Sequence, residues 1–255
     1  MFNLRKRGAR CQGWESLIRE AEVLSKLDAS PGIVHMKSFG KLPNGENSIV
    51  LEYYNAGSLV GGPKKGARIS KKELLFVIRD LVEGLRSLHA AGYIHRDLHR
   101  GNVLFTRKDG RLHAALTDFG LALRMDERPD AKTSIQLTGL APEALVKENS
   151  RIDRKKAEAY SLGVLLYYIV FNKRPPWCTT VRLSRGSSDG TKARLHSNVR
   201  KQYKKTVAHT KSVRGIRGDL AHMVIQLLHP DPKKRLYLDS ALHQINAIAK
   251  RRSIQ

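Results

Sequence analysis

The fold of this chain is decided by the stretch H-R-D-L-H-R-G-N at residues 95–102, which is followed by D-F-G at residues 118–120. Between the two stretches the sequence predicts a hairpin, with a strand at 103–105, a turn at 108–110 and a second strand that ends at Thr117. Either motif alone has low specificity, since short runs of this kind occur by chance. The two motifs in this order, on either side of a hairpin, form a strong joint signal.

Three polar side chains in these motifs predict phosphoryl transfer from ATP. One carboxylate has to stay free of metal so that it can accept the hydroxyl proton of a substrate, and Asp97 has the position for this role. A second carboxylate has to hold magnesium on the nucleotide phosphates, which indicates Asp118, and Asn102 supplies a further ligand. The alternative is that the two aspartates are ordinary surface carboxylates and Asn102 is a turn residue, which requires the whole pattern to be a coincidence.

The rest of the chain resembles the eukaryotic-type protein kinase family. A-P-E at residues 141–143 resembles the end of the family's activation segment, and D-P-K-K-R at 231–235 resembles its D-P-x-x-R motif. The stretches 19–24 and 51–59 resemble its αC helix and its gatekeeper, hinge and start of αD. The resemblance runs from about Trp14 to the C-terminus, and it implies an ion pair between Arg235 and Glu143.

The resemblance implies an α+β, two-lobed protein-kinase-like fold with a truncated small β lobe and a mainly helical large lobe. Residues 1–54 would form the partial small lobe, with the αC helix and the strands that lead to the hinge. Residues 55–255 would form the helical lobe, with the catalytic loop, the activation segment and a basic insert at 178–218. The spacing of apolar residues predicts helices at 14–27, 74–88, 157–171, 220–228 and 238–248, and strands at 33–39, 48–54 and 93–94.

The resemblance also implies a set of site residues. The catalytic residues would be the base Asp97, the magnesium ligands Asn102 and Asp118, and the αC glutamate Glu20. ATP would lie between the lobes beneath the hinge, against Leu51, Glu52, Tyr53 and Leu104. A hydrophobic column would couple αC to the catalytic loop through Leu24, Met36, His95 and Phe119, although these four fit an ordinary core equally well.

The chain departs from the family at its front. It contains no G-x-G-x-x-G, and no V-A-I-K strand precedes the αC stretch, so the loop and the lysine that contact the ATP phosphates are missing. We therefore expect a chain that is incomplete at its N-terminus, binds ATP weakly and has little activity in this form. Lys6 is the only substitute that the sequence offers, and its polar neighbours favour exposure to solvent. Glu158 stands where the family has Asp, and residues 135–136 replace its Gly-Thr pair.

Charge and cysteine content bear on partners and location. The net charge is +24, and residues 178–218 hold 11 Lys/Arg and one acidic residue. A field of this size attracts a polyanion, such as nucleic acid or anionic lipid, although the insert fits a solvated loop equally well.

Two cysteines without a disulfide or metal-ligand pattern favour a reducing compartment, so we expect an intracellular protein, cytoplasmic or nuclear. The longest apolar run, 162–171, is too short to span a bilayer, so no transmembrane segment is expected.

The resulting prediction is a protein kinase that uses ATP and Mg²⁺ and phosphorylates protein hydroxyls, with Ser/Thr favoured. The alternative is a pseudokinase-like binding protein that interferes with a partner kinase, although the intact Asp97, Asn102 and Asp118 argue against it. A basic nucleic-acid-associated module is supported by charge alone. If the chain is active, Arg96 would receive a phosphorylated residue of the activation segment, for which the candidates are Thr133, Ser134 and Thr138.

Overall fold

The computed structural model describes residues 11–27, 30–60, 62–63, 69–127, 139–146, 152–177 and 189–254. The chain divides into two compact units, Met1–Met125 and Asp126–Gln255. The described strands all lie in the first unit, together with two long helices, whereas the described elements of the second unit are helices. The predicted α+β class is therefore confirmed. The division between compact units falls later than residue 54, and the boundary proposed there stays a prediction.

The first unit begins with helix α1, Cys11–Lys26, and an antiparallel pair, β1 (Met36–Lys41) and β2 (Asn47–Leu51). α1 is helical because its apolar residues recur every three or four positions and bury one face. Buried on that face are Leu17, Glu20, Ala21, Val23 and Leu24. The strands are shorter than predicted, since Ile33 forms only an isolated parallel bridge with Leu116 and β2 ends at Leu51.

Helix α2, Lys71–Ala90, is the central element of the first unit. It begins with a capping box, in which Ser70 Oγ accepts from the amide of Glu73 at 3.1 Å and Glu73 Oε2 accepts from the amide of Ser70 at 2.8 Å. The loop after α1 lies directly on this helix. A Cβ at Gly84 would lie 2.3 Å from the carbonyl oxygen of Gly32, so this close approach requires glycine.

A four-stranded sheet packs against α2. Its strands are β3 (Gly57–Ser58), β4 (Gly62–Pro63), β6 (Val103–Lys108) and β7 (Arg111–Leu116), and they lie in the order β4-β3-β6-β7. The β6–β7 hairpin turns at Asp109 and Gly110, whose φ angles of 52° and 72° suit the tight turns that join twisted strands. This confirms the predicted hairpin, with a longer first strand. Separately, β5 (Tyr93–Ile94) pairs with β8 (Leu123–Arg124).

The second unit is built around helix α4, Arg154–Phe171. Its other described helices are α3 (Pro142–Val146), α5 (Asp189–Thr210), α6 (Gly215–Leu227) and α7 (Leu238–Arg251). Asp153 caps α4 through a 3.1 Å bond from the amide of Lys156, and Asn172 ends it with a φ of 53°. A Cβ at Gly163 would lie 3.0 Å from the Leu227 side chain, so glycine lets α4 and α6 pack closely. Within the described residues, no helix combines the length and the apolar character that crossing a membrane requires.

Helix α5 occupies most of the predicted basic insert, for which a solvated loop was an equal alternative. The structure contradicts the loop for residues 189–210, while residues 178–188 lie outside the described part of the chain. Among the buried or half-buried side chains of α5, four recur at helical spacing: Val199, Tyr203, Thr206 and Thr210. The two threonines donate their hydroxyls to carbonyls of the helix at 3.0 and 2.9 Å, which satisfies these polar groups. The buried face therefore has no apolar periodicity that the sequence could show.

Candidate active site

Asp97 lies in the loop that follows β5 and is held on one side by hydrogen bonds. Asn102 Nδ2 donates to Asp97 Oδ2 at 3.2 Å and to the Asp97 carbonyl at 3.0 Å. His99 Nε2 lies 3.4 Å from the same carboxylate oxygen. In the part of the chain that the structure describes, no donor reaches Oδ1.

The hairpin brings Asn102 and Asp118 to the same end of β6 and β7. Val103 pairs with Leu116, and the amide of Thr117 donates to the carbonyl of Asn102 at 3.1 Å. Because the amide nitrogen of Asn102 binds Asp97, its Oδ1 is left as an acceptor. Amide and carboxylate oxygens are the ligands that Mg²⁺ takes in nucleotide sites, so the donor set of Asn102 and Asp118 fits this ion.

The contact between His99 and Asp97 shifts both pKa values. The hydrogen bond from His99 is the main cause that lowers the pKa of Asp97, against an opposing effect of burial, so the carboxylate is ionised at neutral pH. The same hydrogen bond raises the pKa of His99, and the negative charge of Asp118 adds to this shift. The sequence had assigned no role to His99. The available signal was Gly101 two residues later, since glycine leaves room for a ring beside the backbone.

His95 links the catalytic loop to the D-F-G segment. Its ring is fully buried and lies 4.9 Å from the Phe119 ring, and its Nε2 is 3.2 Å from the carbonyl oxygen of Thr117. This confirms one contact of the predicted hydrophobic column. Leu24 is buried and Met36 half-buried, and their place in the column stays a prediction.

Helix α1 lies against the D-F-G segment. Arg19 Nη1 donates to the carbonyl of Ala122 at 3.3 Å, and a Cβ at Gly120 would lie 2.2 Å from Ser16 Oγ. Glu20, one residue after Arg19, keeps 2% of its surface exposed. These contacts place α1, which contains the stretch that resembles αC, next to the D-F-G motif. The role of Glu20 stays a prediction, and Lys6 lies outside the described residues.

A hydrogen-bonded cluster attaches the other end of α1 to β5. The Tyr93 hydroxyl donates to Glu22 Oε1 at 2.8 Å, and Lys26 Nζ donates to the Tyr93 oxygen at 2.8 Å. Lys26 also contacts Glu22 at 3.3 Å. Since Tyr93 is two residues before His95, this cluster couples α1 to the start of the catalytic loop.

The four residues predicted to contact the nucleotide base differ in their surroundings. Leu51 and Leu104 are buried, whereas Glu52 and Tyr53 are exposed, Tyr53 by 46%. The latter two line a cavity of about 550 Å³, which Leu51 and Leu104 do not line and which also contacts Tyr54, Asp80, Arg107 and His113. Burial in this region raises the pKa of Tyr54 to about 12. Contact of all four residues with one base stays a prediction.

In the second unit, Arg235 and Glu143 form the ion pair that the resemblance implied. Arg235 Nη1 and Nη2 donate to the two carboxylate oxygens of Glu143 at 2.6 and 2.9 Å, and both side chains are buried. Glu158 is also buried in α4. The candidate phosphorylation residues Thr133, Ser134 and Thr138, and the pair at 135–136, lie outside the described residues.

Comparison with known proteins agrees with this geometry. Residues 2–245 match the family model described as the protein kinase domain. The serine/threonine-protein kinase pkn2 of Myxococcus xanthus is 32% identical over 63% of this chain and 19% of its own length. PknA of Mycobacterium tuberculosis is 32% identical over 61% and 36% of the two chains, and calcium-dependent protein kinase 27 of Arabidopsis thaliana is 30% identical over 63% and 33%.

The chain therefore belongs to the protein kinase domain family. It spans less than two fifths of the length of these three relatives. Members of the family generally use ATP and Mg²⁺. In the first unit, Asn102, which the sequence predicts as a metal ligand, lies within hydrogen-bond distance of Asp97, the predicted proton acceptor.

Proposed function

We propose that this chain is a protein kinase catalytic domain that transfers the γ-phosphoryl group of ATP to a serine or threonine hydroxyl of a protein. The observation that carries the proposal is the arrangement around Asp97. One of its carboxylate oxygens accepts a hydrogen bond from Asn102 and lies 3.4 Å from His99 Nε2, and the other has no donor among the described residues. A pure binding protein has no need for such an arrangement.

The residues divide the work of the reaction. Asp97 Oδ1 accepts the hydroxyl proton as the substrate oxygen bonds to the γ-phosphorus and the bond to the ADP oxygen breaks. Asn102 Oδ1 and the Asp118 carboxylate would hold magnesium, which when bound neutralises charge on the phosphate oxygens. The serine/threonine kinases among the relatives support the choice of Ser/Thr over Tyr.

Magnesium-dependent ATP binding tests the proposal. Binding is measured by calorimetry with and without Mg²⁺, up to millimolar ATP because the sequence has no glycine-rich phosphate loop. The wild-type protein and Asp97→Asn should bind ATP more tightly with Mg²⁺, whereas Asp118→Asn should lose that gain, since only the latter removes a metal ligand. Binding that ignores Mg²⁺ in the wild type would favour the alternative, a pseudokinase-like protein that interferes with a partner kinase.

A second function, binding of a polyanion, is supported by the exposed charges of α5 and the start of α6. The basic surface consists of seven exposed residues: Arg200, Lys201, Lys204, Lys205, Lys211, Arg214 and Arg217. On its other side α5 buries Val199, Thr206 and Thr210, and the half-buried Tyr203 donates its hydroxyl to the carbonyl of Ile225 at 3.3 Å. With that face buried, the cations face solvent, where they can neutralise phosphates of RNA.

An intracellular location, cytoplasmic or nuclear, stays a prediction from cysteine content.

A further inference from the structure

We propose that His99 is a positioning residue, which orients the Asp97 carboxylate for proton transfer through a hydrogen bond from its Nε2–H group. The inference rests on the proposed kinase function, because it assigns a role within that reaction. It concerns a residue outside the motif positions that define the catalytic base and the metal ligands. The evidence is the geometry of His99, Gly101 and Asp97.

Two contacts fix the ring of His99 and its proton. The amide of Gly101 donates to His99 Nδ1 at 2.9 Å, and a ring nitrogen that accepts a hydrogen bond carries no proton. The proton of the neutral ring is therefore on Nε2, which lies 3.4 Å from Asp97 Oδ2. The backbone of the loop thus selects the tautomer that donates to the catalytic carboxylate.

The second donor on that oxygen completes the restraint. Asn102 Nδ2 lies 3.2 Å from Asp97 Oδ2, so two donors hold the same oxygen and oppose rotation of the carboxylate. Rotation would exchange the two oxygens and remove Oδ1 from its open position. Loss of a partner that orients a metal ligand typically lowers activity by about 10- to 100-fold, and we expect a loss of the same order for a partner that orients Asp97.

His99 also caps the 3-10 turn at Arg100–Asn102 through the bond to Gly101, and a purely structural role has to be separated from positioning. Its side chain keeps 31% exposure, so substitution should not open a cavity. His99→Asn retains an acceptor near Nδ1 and is a good capping residue, but it is too short to reach Asp97. His99→Gln retains a donor near Nε2, and His99→Ala removes both the acceptor and the donor.

The test is the rate of phosphate transfer to casein by these three variants at saturating MgATP. We expect kcat to fall about tenfold or more in His99→Ala and His99→Asn, and to recover most of the loss in His99→Gln. The KM for ATP should change little, because His99 acts through Asp97. A His99→Asn variant with wild-type kcat would assign the residue to capping alone and overturn the inference.

Gly101 provides an independent check. A Cβ at residue 101 would lie 2.6 Å from Cε1 and 2.9 Å from Nδ1 of His99, so Gly101→Ala has to displace the ring. We expect this variant to lower kcat when His99 is present and to have much less effect when His99 is Ala. Equal effects in both backgrounds would show that Gly101 acts without the ring, and would contradict the inference.

The tautomer is measured without any activity, by long-range ¹H–¹⁵N correlation of histidine-labelled protein. At a pH above the pKa of His99, a proton on Nε2 and none on Nδ1 is expected, and a neutral ring with its proton on Nδ1 would overturn the inference. Equal rates of phosphate transfer by the wild type and by His99→Ala would also overturn the inference. The proposed kinase function would then still stand. Absence of transfer by the wild type would instead contradict the proposed function, and His99 would then have no reaction to assist.

Discussion

Arg235 holds Glu143 by a two-point ion pair, at 2.6 and 2.9 Å, across 92 residues of sequence. The same guanidinium donates to the carbonyls of Lys156 and His229 at 2.7 and 3.0 Å, and its side chain is fully buried. Lys156 Nζ in turn donates to the carbonyl of Arg235. One arginine therefore ties the A-P-E segment to the start of α4 and to the loop before α7.

Arg235→Met should be strongly destabilising. It leaves Glu143 buried without its cation and takes one donor away from each of two carbonyls, and breaking a buried pair in this way costs about 3–5 kcal/mol of unfolding free energy. Urea unfolding measures the change. Arg251→Met is the matched control, since the Arg251 side chain is 63% exposed in its pair with Asp219 and should lose less than about 1 kcal/mol. Similar losses in both variants would contradict a structural role for the buried pair.

Tyr93→Phe should loosen the attachment of α1 to β5. The hydroxyl of this buried tyrosine contacts Glu22 and Lys26, and its removal should lower the unfolding free energy by about 1 kcal/mol. In a Glu22→Gln background the loss should be smaller. Additive effects of the two substitutions would mean that the side chains do not interact.

The loss in Tyr93→Phe should also depend on pH. Hydrogen bonds from Tyr93 and Lys26 lower the pKa of Glu22 below its ordinary value of 4.5. A carboxylate with a lowered pKa stabilises the fold above that value and loses the contribution as the pH falls through its folded pKa. The difference between Tyr93→Phe and wild type should therefore shrink below about pH 4.5, and a difference that stays constant in unfolding measurements from pH 7 to pH 3 would argue against the contact.

Charge reversal on the basic surface should weaken RNA binding. The triple variant Lys201→Glu, Lys204→Glu and Lys205→Glu changes three exposed cations of α5. Each lost phosphate contact should reduce the slope of log K against log salt by about 0.7 for single strands. The matched control also reverses three exposed cations, Lys37 and Lys41 on β1 and Lys108 at the end of β6. Equal weakening in both variants would mean that net charge, and not this surface, determines binding, and retention only by anionic vesicles would redirect the proposal to membranes.

The sequence predicts the features that turn residues or family motifs specify, and it misses those that depend on packing or on the direction of a backbone amide. The β6–β7 hairpin and the Arg235–Glu143 pair were predicted, because turn residues and motif spacing encode them locally or through the family. Helix α5 was not, because Thr206 and Thr210 on its buried face give no apolar periodicity. His99 was missed because its role depends on the direction of one backbone amide, that of Gly101, which composition does not reveal.

The central claim is that Asp97 is the proton acceptor of a phosphoryl transfer. It is tested most directly by the transfer of labelled phosphate from MgATP to casein by wild type and Asp97→Asn at equal concentration. Asn keeps the size of the side chain and the ATP affinity but cannot take a proton. We expect phosphate transfer by the wild type and a rate about 10² to 10⁴ lower in the variant. Equal rates, with both proteins folded and binding MgATP alike, would contradict the account.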